Sequence, residues 1–252
     1  MLAIVGDVTA QMSGALATPL AAAATIYIIG YGIAILRGSA DGNGVDFAIQ
    51  ALKLAIIYSL VTNAGAYTTW VSSVVLTGIP DFVSSLTSGT SGGLPSDGIL
   101  SKAGFIAEKI KTEYGSFDLS GQLYAMFMGG IVYIVAALVA AVAFALTLLA
   151  QFGLALMAAL GPLFVAFALY DFSRGWFFSW LSQILNFAIL QLLVTLLAIF
   201  ATTFVADVYT AVGAVETGRA VVFMIVGLLV VIIFFFLLPS IASSLVGGAQ
   251  AS

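Results

Sequence analysis

Hydrophobic and polar positions fall along this chain in long blocks rather than short periods. Uncharged, mostly apolar runs cover 15–36, 54–80, 119–170, 175–206 and 220–252. A helix needs roughly 20 apolar residues to cross a bilayer core of about 30 Å, and each run is that long. Residues 220–238 (AVVFMIVGLLVVIIFFFLL) are apolar all round, whereas barrel strands alternate with polar lumen residues. The pattern predicts an all-α polytopic membrane protein.

The blocks differ in their punctuation. Val5, Val8 and Met12 follow helical spacing through 1–14, which reads as a helical lead-in or as a short interfacial helix. The first span, about 16–36, carries Ala22, Gly30 and Ala34 at multiples of four, a face that lets another helix approach closely. It ends at Arg37 before the Gly-rich loop 38–44. The second span covers about 47–70, with Lys53 roughly 10 Å inside the helix and within snorkelling reach of the interface. Residues 80–121 form the sizeable polar segment. Its first part, 87–98, reads as a flexible loop, and 96–114 as an amphipathic helix. Ser96 is placed as the N-cap and Gly115 as the C′ residue. Ile99, Ala103, Ile106, Ile110 and Tyr114 form its apolar stripe. That stripe either rests on the protein's own membrane domain or contacts a partner outside the membrane.

The run 119–170 allows two spans or one long, broken one. As a single helix it measures roughly 78 Å. Ala137, Ala141 and Ala145 make a small-residue face, and Gly153 and the pair Gly161–Pro162 are the expected breaks. Pro162 has no N–H to donate and crowds the preceding turn. The carbonyl it frees needs protein or water as a partner inside a membrane.

Composition sharpens the class. Of 252 residues 62% are hydrophobic and 7% charged, against about 25% charged in soluble domains. The chain has no Cys and no His, which removes disulfides, thiol chemistry and the usual zinc sites. No paired carboxylates lie inside a run, so little remains for general acid–base chemistry. The expectation is a non-enzymatic protein with no catalytic, cofactor-binding or metal-binding residues. A net charge of −4 without a Lys/Arg cluster argues against strong nucleic-acid binding. Residues 1–14 lack a basic n-region and the first run is too long for a signal-peptide core, so that run is expected to remain a membrane helix. Arg37 and Lys53 flank the first short loop and place it in the cytoplasm. Lys102, Lys109 and Lys111 in the 80–121 segment pull the other way.

Residues 160–180, LGPLFVAFALYDFSRGWFFSW, concentrate the unusual chemistry. Asp171 and Arg174 are three apart and can pair if the segment turns helically. Trp176, Phe177, Phe178 and Trp180 suit an aromatic belt at headgroup depth. Ser179, Ser182, Gln183 and Asn186 then share an arc of roughly 100° on the helix that follows. Such a face is either interhelical glue or the lining of a pathway.

LGPLF at 160–164, then Arg174, Phe177 and Phe178, Trp180, Gln183, and Asn186 followed by an aromatic and Ala188, resemble the core signature of the TrbL-type family. The ending 237–252, and an opening in which an apolar span ends in Arg37–Gly38, are similar to it too. That family is the polytopic inner-membrane subunit of type IV secretion and conjugation machines. The resemblance implies about five transmembrane helices, one long and broken at Gly-Pro, plus a short extramembrane amphipathic helix. It implies residues 1–14 as an N-terminal periplasmic or interfacial helix and 15–79 as a transmembrane hairpin. A periplasmic loop at 80–121 and a C-terminal transmembrane domain at 122–252 complete the expected organisation, with the C-terminus in the cytoplasm. It further implies a homo-oligomeric platform or channel in the bacterial inner membrane, working in pilus or stalk assembly and in DNA–protein or effector translocation. Expected partners are a minor pilin or stalk protein, inner-membrane complex proteins, cytoplasmic ATPases and membrane lipid, with only transient contact to translocated DNA or protein. Gly161, Pro162, Asp171, Arg174, Trp180, Gln183 and Asn186 are the expected structural or interaction residues, and Ile99, Ala103, Ile106 and Ile110 the partner-contact stripe. A secondary transporter or other membrane channel is the alternative; against it, the spans are nearly free of charge and no internal repeat is visible.

Overall fold

A computed structural model describes residues 2–37, 44–85, 95–113, 119–211 and 217–248. Helix α1 runs Leu2–Leu36 and α2 Gly44–Thr62. Short α3, Ala64–Tyr67, leads into π-helical turns at Thr68–Ser72 and Val74–Gly78 and then α4, Ile79–Ser85. Helix α5 covers Pro95–Glu113, α6 Leu119–Phe167, α7 Arg174–Ala211 and α8 Thr217–Gly248. No strand occurs among the described residues. Among those residues four helices are long and apolar enough to cross a membrane. The bent pair Phe47–Thr62 and Ala64–Ser85 makes a fifth if counted as one span. The protein is an all-α polytopic membrane protein.

Several boundaries differ from expectation for local reasons. The lead-in runs on into the first span as one helix, the first of its two readings, because nothing at Gly14 or Ala15 stops the ladder; Pro19 lies inside α1 without ending it. The second span stops early. Asn63 takes extended backbone angles, φ −106° and ψ 94°, and its side chain accepts the Ala66 N–H. The chain turns there by 95°, so the 19 residues of α2 give a rod of about 28 Å, close to the bilayer core. Helix α5 starts at Pro95 rather than after a Ser96 cap, a first-turn position that suits a residue without an N–H. Helix α6 passes Gly153 without a break, since a glycine removes no backbone bond, and stays helical through Pro162. Its 49 residues reach about 73 Å. The Gly-rich stretches 38–43 and 86–94, together with Tyr114, Gly115, Glu216 and 249–252, lie outside the described residues.

The chain divides into two compact units: residues 1–80 with 152–185, and residues 81–151 with 186–252. The second unit holds a continuous core. Its α8 contributes Val221, Met224, Leu228, Val231, Phe235 and Leu238, a strict alternation of three and four that marks coiled-coil-like packing. Val132, Ala136, Val139 and Ala143 face it from α6, and Val194, Ala198, Ala201 and Val205 from α7. The expected small-residue face of α6 is turned elsewhere, since Ala141 and Ala145 are exposed. Ala22 and Gly30 of α1 are exposed as well. The small residues that line the three-helix seam are others, Ala136 and Ala143 of α6 and Ala198 and Ala201 of α7.

Ile99 and Ala103 of α5 are fully buried in this same core. They are taken up by the protein's own packing rather than left for a partner. Gly98 lets α5 touch α7, where an added Cβ would lie 3.0 Å from Thr202 Cγ2. Gly129 of α6 admits the α5 backbone at Ala107. The side chains of Ile106 and Ile110 fall outside the described residues.

Candidate functional site

Pro162 sits inside α6 and supplies no N–H to the carbonyl four residues earlier, that of Ala158. A buried carbonyl without a donor costs about 1–3 kcal/mol, and in a membrane no bulk water relieves it. The first unit answers this with a side chain. The hydroxyl of Tyr67 donates to Ala158 O at 2.7 Å, and Tyr67 is fully buried. The ring can reach because residue 161 has no side chain: a Cβ built on Gly161 would lie 1.5 Å from Tyr67 Oη. Pro162 creates the vacancy in the ladder, Gly161 makes room for the ring, and Tyr67 fills both.

A second donor grips the adjacent carbonyl. Trp180, near the start of α7, donates from Nε1 to Met157 O at 2.9 Å. Its ring stacks on Phe164 with centroids 6.1 Å apart and planes 10° apart, and it meets Phe177 at 5.7 Å. Trp180 is buried, whereas Trp176 and Phe178 are well exposed. The aromatic cluster therefore divides: Trp176 and Phe178 offer themselves to the surroundings, while Trp180 braces the turn of α6 just before Pro162.

The α6–α7 turn is closed by short-range bonds. Ser173, itself buried, donates its hydroxyl to Phe167 O at 2.7 Å and lies 3.3 Å from Tyr170 O. This occupies a carbonyl that the end of α6 leaves open. Asp171 and Arg174 pair at 2.6 Å. Their side chains are 81% and 39% exposed respectively, so the pair is worth about 0–1 kcal/mol and shapes the turn more than it stabilises it. Tyr170 donates to Ala23 O of α1 at 2.6 Å and meets Tyr27 edge to face. Gln50 of α2 donates to the Tyr27 hydroxyl. Two turns of α1 and one of α2 are thereby tied to the same corner.

The polar arc is not a connected network. Ser179 donates its hydroxyl to its own helix at Gly175 O, Gln183 is exposed, and Ser182 and Asn186 are half-buried. Asn186 Oδ1 is buried without a hydrogen-bond partner, and so is Oε1 of Gln191. Gln191, five residues beyond the arc, is itself buried and had no signal in the pattern of the arc. Among the described residues no group of three or more Asp or Glu could hold a metal ion.

The structure thus brings Gly161, Pro162 and Trp180 to one place, pairs Asp171 with Arg174 in the adjoining turn, and leaves Gln183 apart. Sequence reasoning missed Tyr67, Tyr170 and Ser173. The orphan carbonyl behind Pro162 was the available signal, but it asks only for a donor, and the chain has nine tyrosines.

Comparison with known proteins adds an independent line. A family model described as TrbL/VirB6 plasmid conjugal transfer protein matches residues 24–239, which include Gly161–Pro162 and Tyr67. A type IV secretion system protein VirB6 of Bartonella henselae is 27% identical, the alignment covering 97% of this chain and 75% of that protein. The protein of the same description from Bartonella quintana is 26% identical over 94% of this chain and 73% of its own length. A VirB6 protein of Agrobacterium fabrum is 27% identical over 73% of this chain and 62% of its own length.

Proposed function

Because the chain belongs to the TrbL/VirB6 family, we propose that this inner-membrane type IV secretion subunit forms a homo-oligomeric platform or channel. In this reading it carries pilus or stalk assembly and the passage of DNA–protein or effector cargo. The other secretion subunits are its partners: a minor pilin or stalk protein outside, inner-membrane complex proteins beside it and cytoplasmic ATPases below. Residues 1–14 and 80–121 lie in the periplasm and 240–252 in the cytoplasm. Ile106 and Ile110 of the α5 stripe make the stalk contact. The polar arc of α7, with the unpartnered Asn186 Oδ1, meets another copy.

One observation favours assembly over ion-coupled transport. Helix α6 contains no Asp, Glu, Lys or Arg over its whole length. Transporters place coupling-ion sites in their spans, near the midplane, and charged groups within spans mark such pathways. The bent second span is the feature that a transporter reading would use.

The test is solubilisation in mild detergent from cells carrying the whole secretion machine. Co-purification of other secretion subunits with an oligomer of this chain supports the reading. A monomer that brings none of them, in cells that transfer normally, would sink it. Single-cysteine labelling checks orientation separately, since the native chain has no Cys; a C-terminus labelled from the periplasm overturns the proposed topology.

A further inference from the structure

We propose that Tyr67 is a releasable latch between the bent arm of the second span and the α6 carbonyl that Pro162 leaves without a backbone donor. The arm meets α1 and α2 at its first turn, but its hydroxyls bond mostly within it. The hydroxyls of Thr68, Thr69, Ser73 and Thr77 all return to carbonyls four residues back within it. The hydroxyl of Tyr67 alone among these five leaves the arm, for Ala158 O.

Three features suit this contact to opening and closing. The arm is hinged at one residue, Asn63, whose extended backbone breaks the helix where the chain turns by 95°. Beyond Tyr67 the arm continues in π-helical turns, a geometry that gathers at functional sites. At the other side of the contact, the acceptor exists only because Pro162 withholds its N–H. Engagement places the ring in the space that a side chain at 161 would fill and satisfies the Ala158 carbonyl. Release reopens the Ala158 carbonyl and frees the arm to swing about Asn63. The arm's position and the bonding of α6 before Pro162 are thereby one equilibrium, so a partner that displaces the arm is felt at that turn of α6.

The latch makes a specific demand on Pro162. Pro162→Ala restores a backbone donor to Ala158 O, and the tyrosine hydroxyl then has no task. The measurement uses the full chain in lipid nanodiscs, with nitroxides on Val74→Cys and Leu156→Cys, both at exposed positions. Electron–electron distance distributions are recorded. The parent should give one dominant distance. Tyr67→Phe, which keeps the ring and removes the hydroxyl, should raise a second population about five- to tenfold, the change expected from one buried hydrogen bond. In the Pro162→Ala background the same substitution should change nothing. An unaltered distribution in Tyr67→Phe overturns the latch, and so does an equal shift with and without Pro162. Should Tyr67→Phe prevent accumulation in the membrane, yield becomes the readout: Pro162→Ala must restore it, and failure to restore it overturns the proposal.

Discussion

The two units are held together by different physics. The second is a seam of aliphatic side chains at alternating three- and four-residue steps, with Val139, Val194, Met224 and Phe235 fully or almost fully buried. The first is tied by directional bonds from side chains to backbone carbonyls: Tyr67 to Ala158, Trp180 to Met157 and Tyr170 to Ala23. Inside a membrane, lipid is as apolar as leucine, so packing quality and hydrogen bonds decide association. A seam tolerates small shifts along its length, whereas a carbonyl left open by a proline accepts a donor in one place. The second unit therefore reads as scaffold and the first as the part with few alternatives.

Glycine replacements give the sharpest contrast. Gly161→Ala directs its methyl onto a ring fixed by a hydrogen bond, and overpacking of this kind costs up to about 3 kcal/mol. Gly227→Ala in the second unit meets the Phe204 ring at 2.2 Å, but that ring is only half-buried and can swing aside, so about 1 kcal/mol is expected. Unfolding in mixed micelles against SDS fraction should rank them in that order. Equal costs would erase the distinction between the units.

Trp180→Phe comes next. It keeps the stacking on Phe164 and removes the donor to Met157, a loss of roughly 0.6–2 kcal/mol. Substrate transfer should fall while the amount of inserted protein stays near normal, and quantitative blotting beside a mating or secretion assay separates the two.

Gln183→Leu with Asn186→Leu should alter stability by less than that, because Gln183 is exposed and Asn186 Oδ1 has no partner to lose. If the arc meets another copy, native-gel sizing will show a weakened oligomer. An intact oligomer with full transfer returns the arc to an ordinary polar helix face. Asp171→Asn should be the smallest effect, no more than about 1 kcal/mol and fading with added salt.

How much of this was legible in the chain follows the same division. The seam is readable because it repeats: apolar positions every three or four residues in α8 predict a helix and its buried side together. The α5 stripe was equally visible, yet Ile99 and Ala103 went to the protein's own core, since periodicity gives a face and not the identity of what covers it. In α6, Gly161–Pro162 announced an irregularity and Pro162 named the orphaned carbonyl. Tyr67 remained hidden because it lies 91 residues from that carbonyl in the chain and beyond a 95° turn set by Asn63. Side-chain-to-backbone bonds over such distances leave no period. Trp180 looked like one more belt aromatic beside Trp176 and Phe178, and only its burial separates it from them.

Secretion is expected to depend on the gripped turn of α6 at Gly161–Pro162 and not merely on a folded chain. The direct measurement is transfer efficiency per inserted molecule in cells whose only copy carries Tyr67→Phe together with Trp180→Phe, beside a seam control, Val139→Ala. Inserted protein near the parental level is expected for both, with transfer about tenfold lower in the double variant, as a combined loss near 1.4 kcal/mol implies, and nearly parental transfer in the control. Parental transfer from a fully inserted double variant would contradict it.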